Sequence, residues 1–402
     1  MERLVALLGL ACFVGIAYLT SVNRSAIRWR PVLWGFALQI IFALLILRTA
    51  VGFSVFSWLG DRVSDFLNYS DAGAAFVFGE NFQDFFFAFK VLPTIIFFSA
   101  FISLLYHYGV LQKAVGAIAW VMRRTMKTSG SETLSAAGNI FVGQTEAPLL
   151  IKPYVATMTM SELHAVMTGG FATVAGGVLA AYVSFGIPAE HLIAASVMSA
   201  PAALAISKIM FPETAVSQTR GEVTLSVESE NENGVDALAK GALDGLRLAL
   251  NVGAIIIAFL AVLAAFNALI GFVGGLIGYD ELSLESILAV LLAPVAWLMG
   301  VPWADCSAVG TLLGKKTILN EFIAYLDLQQ LIESNAISER AVIIATYALC
   351  GFANIGSIGI QIGGIGGIAP ERQSDLAKIG VRAMVAGTLA CFTTACIAGM
   401  LL

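Results

Sequence analysis

Apolar residues dominate the chain in runs long enough to cross a bilayer, which takes about 20 residues of helix. Such runs lie at Leu4–Val22, Val32–Ala50, Val91–Val110, Ala165–Phe185, Leu192–Phe211, Leu248–Val273, Ala341–Ile360 and Val381–Leu402. They predict about eight transmembrane helices. Val51–Leu67 follows another pattern, mixing Phe53, Phe56, Trp58, Leu59 and Phe66 with Asp61, Arg62, Ser64 and Asp65. That mixture predicts an amphipathic helix lying at the membrane surface.

Composition narrows the class. Of 402 residues 58% are apolar and 12% charged, about half the usual charged share, and the mean hydropathy is +0.87. So few charges cannot cover a soluble surface, which excludes a cytosolic enzyme and a disordered chain. The net charge is −5 and the 22 Lys and Arg form no basic tract, so no nucleic-acid partner is implied. Five cysteines (Cys12, Cys306, Cys350, Cys391, Cys396) sit among apolar or small residues without a CxxC pair and read as packing residues. Leu4–Val22 has one cation ahead of it and three arginines behind, the reverse of a signal peptide, and reads as a retained span. Basic clusters at Arg24, Arg28 and Arg30, at Lys113, Arg123, Arg124 and Lys127, at Arg220 and Lys240, and at Arg372, Lys378 and Arg382 all fall on one side when successive spans alternate in direction. The positive-inside bias places them in the cytoplasm and both termini outside. Pro212–Asp244 reads as a flexible polar connector.

The chain also repeats itself. Ser135-Ala136-Ala137-Gly138 returns as Ser307-Ala308-Val309-Gly310, and a lone glutamate as Glu146 and Glu321. A Ser-Glu pair returns as Ser161-Glu162 and Ser338-Glu339, and Gly170-Phe171-Ala172 returns as Gly351-Phe352-Ala353. The offsets, 172, 175, 177 and 181 residues, drift in one direction, as two diverged copies would. One copy follows a cytoplasmic loop and the other an external turn near Gly278–Asp280, so the copies are inverted, as in secondary transporters. The organisation predicted is scaffold spans and the interfacial helix over 1–130, a first repeat over 131–211 and a cytoplasmic loop over 212–247. A scaffold span and external turn follow over 248–300, and a second repeat over 301–402.

Each copy opens on a segment too interrupted for a span. Ser131–Thr157 leads to Gly143-Gln144-Thr145-Glu146-Ala147-Pro148, and Trp303–Leu328 is broken by glycines, Lys315, Lys316, Asn320 and Glu321. Irregular backbone at membrane depth survives only inside protein or along a cavity, so both read as re-entrant hairpins with tips at Gly143–Pro148 and Thr317–Glu321. Glu146 and Glu321 are then acids at membrane depth, facing a partner, an ion or a polar substrate; a structural pair of Glu321 with Lys316 is the plainer alternative. In Thr168–Gly177 and Gly351–Gly359, small residues allow either close helix packing or a chain break that presents carbonyls to a cation.

Enzyme signatures are absent. Gly310–Thr317 (GTLLGKKT) misses phosphate-loop spacing and lacks a preceding strand. His107, His164 and His191 are far apart, with no HExxH or GxSxG. His107, between two tyrosines, suits an interface, and His164 follows a predicted Ser161 cap, where it packs a helix start.

GNIFVGQTEAPLLIKPY (Gly138–Tyr154), MTMSELHAVMTGGFATVAGGVL (Met158–Leu179), APVAWLMGVPW (Ala293–Trp303), NEFIAY (Asn320–Tyr325) and CGFANIGSIGIQIGG (Cys350–Gly364) strongly resemble the concentrative nucleoside transporter family. The similarity continues through Ala369–Leu402, and a bacterial, sodium-coupled member is the natural reading. The resemblance implies a base site of Gln144, Thr145 and Glu146, with Val178 packing on the ring. It implies a ribose site of Glu321, Asn354 and Ser357 with Phe352 nearby. A Na⁺ site would use the Asn139 and Thr173 side chains and the carbonyls of Val142 and Val174. It further implies a homotrimer in the plasma membrane, each protomer with a fixed scaffold and a moving transport domain. Nucleoside symport driven by Na⁺ is the leading expectation. Proton coupling through Glu146 or Glu321, and a passive channel, stand as alternatives.

Overall fold

The computed structural model describes residues 1–219, 231–276, 278–279 and 282–402. Arg220 and Asp280, which the sequence reading used, lie outside them. Every regular element among the described residues is helical. The protein is an all-α polytopic membrane protein.

Helices α1 (Glu2–Leu19) and α2 (Trp29–Arg48) are the first two apolar runs, and α3 (Ala50–Asn68) is the amphipathic helix, with Phe53 and Trp58 exposed. α4 (Ser70–Phe78) follows. The third apolar run opens with a π-helical turn, Phe87–Val91, which leads into α5 (Leu92–His107). α6 (Val110–Met126) is an amphipathic helix that the run count missed.

α7 (Gly130–Gly138) starts at a capping box in which Ser129 N donates to Glu132 Oε1 at 2.9 Å. The chain then turns and returns through the 3-10 stretch Ala147–Ile151 and α8 (Lys152–Val155). The run at Ala165–Phe185 is not one helix. α9 (Met160–Ala172) ends before Thr173, and α10 (Gly176–Ser184) begins after extended residues. Nor does Ser161 cap α9. Thr159 does, its Oγ1 accepting from Glu162 N at 3.1 Å while its own N–H donates to Glu162 Oε2 at 2.8 Å.

α11 (Ala189–Met210) is a buried span. The segment read as a loop over 212–247 is shorter than expected, because α12 (Gly234–Leu276) already begins at Gly234. Its 43 residues measure roughly 65 Å, about twice the hydrocarbon thickness. α13 (Leu284–Leu298) is a further apolar helix. α14 (Cys306–Ile318) and α15 (Glu321–Glu333) form the second hairpin, turning at Leu319 and Asn320. The run at Ala341–Ile360 is again two helices, α16 (Glu339–Leu349) and α17 (Ile355–Ile368), and α18 (Gln373–Leu401) closes the chain. Seven stretches of described helix are long and apolar enough to span a membrane. The eighth predicted span is the broken pair α16 and α17.

A hairpin, a broken helix and a long helix thus succeed one another in each half. Two of the sequence landmarks hold different places in the two halves. Ser338 caps α16, accepting from Ala341 N at 3.3 Å, whereas Ser161 lies inside α9. The first Gly-Phe-Ala triplet ends α9, whereas the second is the break itself.

The two breaks meet. Phe352 N donates to Thr173 O at 3.2 Å, so each break satisfies backbone that a continuous helix would have paired internally. Gly351 permits the approach, since a Cβ there would lie 2.6 Å from Phe171 O.

One end of the bundle is held by a buried polar cluster. Lys208 Nζ lies 2.6 Å from Glu132 Oε2 and donates to Ser161 Oγ at 2.8 Å. Glu162 Oε1 accepts from Ser217 at 2.6 Å and Thr219 at 2.8 Å, so these two buried residues after α11 are packed onto the cluster. His164 stacks on Phe211 and reaches Ser207 Oγ at 2.8 Å, a core role.

Candidate functional site

The hairpin turns and helix breaks gather a second set of buried polar groups. Helix ends leave unpaired N–H groups, and two asparagines answer them. Asn320 Oδ1 accepts from Ile323 N at 2.9 Å and Asn354 Oδ1 from Ser357 N at 2.8 Å. Because the Asn354 oxygen is committed to this cap, its NH₂ must face the other way. It donates to Glu321 Oε2 at 3.1 Å. Tyr182 OH donates to the other carboxylate oxygen at 3.0 Å. Glu321 is only 4% exposed and meets two neutral donors; it forms no direct ion pair with Lys316, whose Nζ donates to Ala348 O at 2.8 Å. A buried carboxylate held this way keeps acceptor capacity for further hydroxyls.

Aromatic rings close one flank. Tyr182 stacks on Tyr325 with centroids 4.1 Å apart, Phe322 lies 5.6 Å from Tyr182, and Phe87 of the π-turn meets Phe322 at 5.8 Å. They exclude water from the carboxylate and strengthen its hydrogen bonds.

The first hairpin reaches the same place. Gln144 Nε2 donates to Ser357 Oγ at 3.3 Å, and Gln361 Nε2 donates to Gln144 Oε1 at 3.1 Å. One connected chain of polar groups therefore runs from Gln361 through Gln144, Ser357 and Asn354 to Glu321 and Tyr182. Thr145 turns toward α17, where its Cγ2 fills the space beside Gly364. Val178, 4% exposed, packs in α10, and Phe352 packs half-buried at the second break. Glu146 is placed differently. It folds back onto Gly143 N and lines a cavity of about 870 Å³ with Val142, Ser99, Tyr106, Lys240 and Asp244. The two repeat glutamates thus occupy unlike surroundings, one in the cavity wall and one buried.

Two of the four residues implied as ion ligands meet at one glycine. Asn139 ends α7, Thr173 ends α9, and both touch Gly169: Thr173 Oγ1 donates to Gly169 O at 2.9 Å, and a Cβ on Gly169 would lie 3.1 Å from Asn139 Nδ2. Gly176 N donates to Phe141 O at 3.2 Å, binding the stretch beside Val142 to the stretch after Val174. Asn139 Oδ1 is buried without a hydrogen-bond partner among the described residues. The Asn139 amide oxygen, the Thr173 hydroxyl and carbonyls at the break are neutral oxygens, the donor type that suits a hard cation.

Tyr182 and Gln361 escaped the sequence reading although a signal for each was present. Tyr182 is four residues after Val178, and Gln361 four after Ser357, so each shares a helix face with a residue already singled out.

Paired hairpins and helices broken at the centre of a membrane bundle, with buried polar groups gathered at the breaks, define a secondary-transporter architecture. The chain belongs to the sodium-dependent nucleoside transporter family, which is a family of transporters and not of enzymes. Family models match in three stretches: the Na⁺ dependent nucleoside transporter N-terminus over 8–81, the nucleoside recognition model over 88–189, and the Na⁺ dependent nucleoside transporter C-terminus over 191–399. The human protein named solute carrier family 28 member 3 is 48% identical over 414 residues, covering 100% of this chain and 60% of its own length. Mouse sodium/nucleoside cotransporter 1 is also 48% identical, with 100% and 64% covered. The chain thus spans about three-fifths of the length of these curated relatives. Among solved structures, CNTnw in an inward-facing substrate-bound state is 41% identical with a TM-score of 0.95, covering 100% of this chain and 98% of that one. A doubly substituted CNTnw in an outward-facing state is 40% identical with a TM-score of 0.94 and the same coverage.

Proposed function

We propose that this protein is a secondary active transporter that carries nucleosides into the cell together with Na⁺ by alternating access. The observation that carries the reading is the polar chain joining Gln144 of the first hairpin to Glu321 of the second through Ser357 and Asn354. A nucleoside is neutral and has two polar halves. Glu321, Asn354 and Ser357 offer charge-assisted and neutral partners to ribose hydroxyls. Gln144, Thr145 and Glu146 offer amide, hydroxyl and carboxylate to the base, with Val178 and Phe352 as apolar surface.

Asn139, Thr173 and the carbonyls of Val142 and Val174 are the proposed Na⁺ ligands. The ion would join the first hairpin to the break that carries α10, and α10 supplies Val178. An ion that stiffens these groups favours the substrate, and by linkage the substrate favours the ion. Downhill Na⁺ entry can then drive uphill nucleoside entry.

The same proposal makes both hairpins re-entrant parts of inverted repeats over 131–211 and 301–402, moving elevator-fashion against a scaffold in a homotrimer of the plasma membrane. The orientation, with both termini outside, is supported by two contacts. Arg3 donates to Leu402 O, so the termini share an end, and Arg30 Nε donates to Thr125 O at 3.1 Å, so two basic clusters share an end.

Uptake of radiolabelled uridine into proteoliposomes with imposed Na⁺ or H⁺ gradients tests the reading. Accumulation above equilibrium driven by Na⁺ is expected. Accumulation driven by H⁺ alone would move the coupling to a carboxylate, and equilibration without accumulation would make the protein a channel.

A further inference from the structure

We infer that Gln361 is a positioning residue that fixes which end of the Gln144 amide faces the bound base, and so which base edge is accepted; this rests on the nucleoside reading above. Amide orientation is normally ambiguous between oxygen and nitrogen, but here the surroundings decide it. Gln361 Nε2 lies 3.1 Å from Met167 O and 3.1 Å from Gln144 Oε1. A carbonyl only accepts, so the end of Gln361 facing Met167 must be its NH₂. Both hydrogens of that NH₂ are then used, and Gln144 must offer it an oxygen. The Gln144 NH₂ is thereby turned toward Ser357 Oγ at 3.3 Å, with one N–H left over. The site presents a donor to the base, complementary to a ring carbonyl or an unprotonated ring nitrogen.

A purely structural role accounts poorly for Gln361. It is fully buried, yet its Oε1 has no hydrogen-bond partner among the described residues, an arrangement that destabilises the fold. Space has also been made for the contact. A Cβ on Gly170 of α9 would lie 2.8 Å from Gln144 Cβ and 2.9 Å from Gln361 Nε2, so the two amides meet only beside a glycine.

Uridine and cytidine share ribose and the C2 carbonyl, but present opposite donor and acceptor order at N3 and C4. Their dissociation constants, measured by calorimetry on the purified full chain at saturating Na⁺, read the base edge. Those of uridine and 3′-deoxyuridine read the sugar. The wild type should discriminate between uridine and cytidine. Gln361→Leu and Gln361→Met should move that ratio toward one by about two- to tenfold, the span of a single neutral hydrogen bond. The 3′-deoxy penalty should stay unchanged, and on a Gln144→Ala background Gln361→Leu should have no further effect. An unchanged ratio, a wild-type ratio of one, a loss shared equally by base and sugar probes, or failure of both variants to fold would overturn the inference. A wild type that binds neither nucleoside would overturn the transport reading itself, and this inference with it.

Discussion

Asn354 Nδ2 lies 3.1 Å from Glu321 Oε2, and the orientation of that amide is dictated by its own helix, whose Ser357 N–H occupies Asn354 Oδ1 at 2.8 Å. A helix cap thereby aims a donor at a carboxylate 33 residues earlier in the chain. Glu321→Gln keeps an oxygen for Asn354, and the Tyr182 hydroxyl can turn to accept from the new NH₂, so the fold should survive. The lost charge should weaken uridine binding by about 1.5–3 kcal/mol, or ten- to a hundredfold. Calorimetry with uridine and uracil checks this, because uracil lacks the sugar and should be far less affected.

Tyr182→Phe removes the other donor to Glu321, at 3.0 Å, and retains the ring stacked on Tyr325. Uridine affinity should fall about two- to tenfold with the protein still folded. Equilibrium binding beside a thermal melt separates loss of affinity from loss of structure.

Asn139→Ala deletes the Oδ1 that has no partner among the described residues. The Na⁺ activation curve for uridine uptake should shift to higher concentration, while affinity at saturating Na⁺ changes little. An unchanged curve in a folded variant would remove Asn139 from the ion site.

Gly351→Ala places a Cβ 2.6 Å from Phe171 O at the crossing of the two breaks. Overpacking there should cost about 1–3 kcal/mol, seen as a lower melting temperature in detergent. Gly359→Ala, where a Cβ meets nothing within 4 Å, is the matched control and should be near neutral.

Lys208→Met leaves Glu132 buried without its cation at 2.6 Å. The loss should be about 3–5 kcal/mol of stability, partly recovered by adding Glu132→Gln. Thermal unfolding of the single and double variants gives the comparison.

The first hairpin turn, the buried acid Glu321 and the motif residues around it were legible as polar interruptions in apolar sequence. Glu146 and Glu321 read as equivalents and are not, because position in a repeat does not specify what packs opposite. Tyr182 and Gln361 could have been found by stepping one helical turn from Val178 and Ser357. The Lys208 and Glu132 pair could not, since 76 residues separate two ordinary charged side chains that only packing unites.

What the sequence determined by itself was the membrane class, most of the spans and the family motifs. Each depends on hydrophobicity, capping or composition within about twenty neighbouring residues, which local sequence carries in full. Only the tertiary structure decided that two apolar runs are broken at Thr173–Ala175 and Cys350–Asn354. A helix interrupted inside a membrane needs partners for its freed backbone, and here one partner comes from the other break, Phe352 N to Thr173 O. A bond between residues 179 positions apart exists only once both copies have folded against each other.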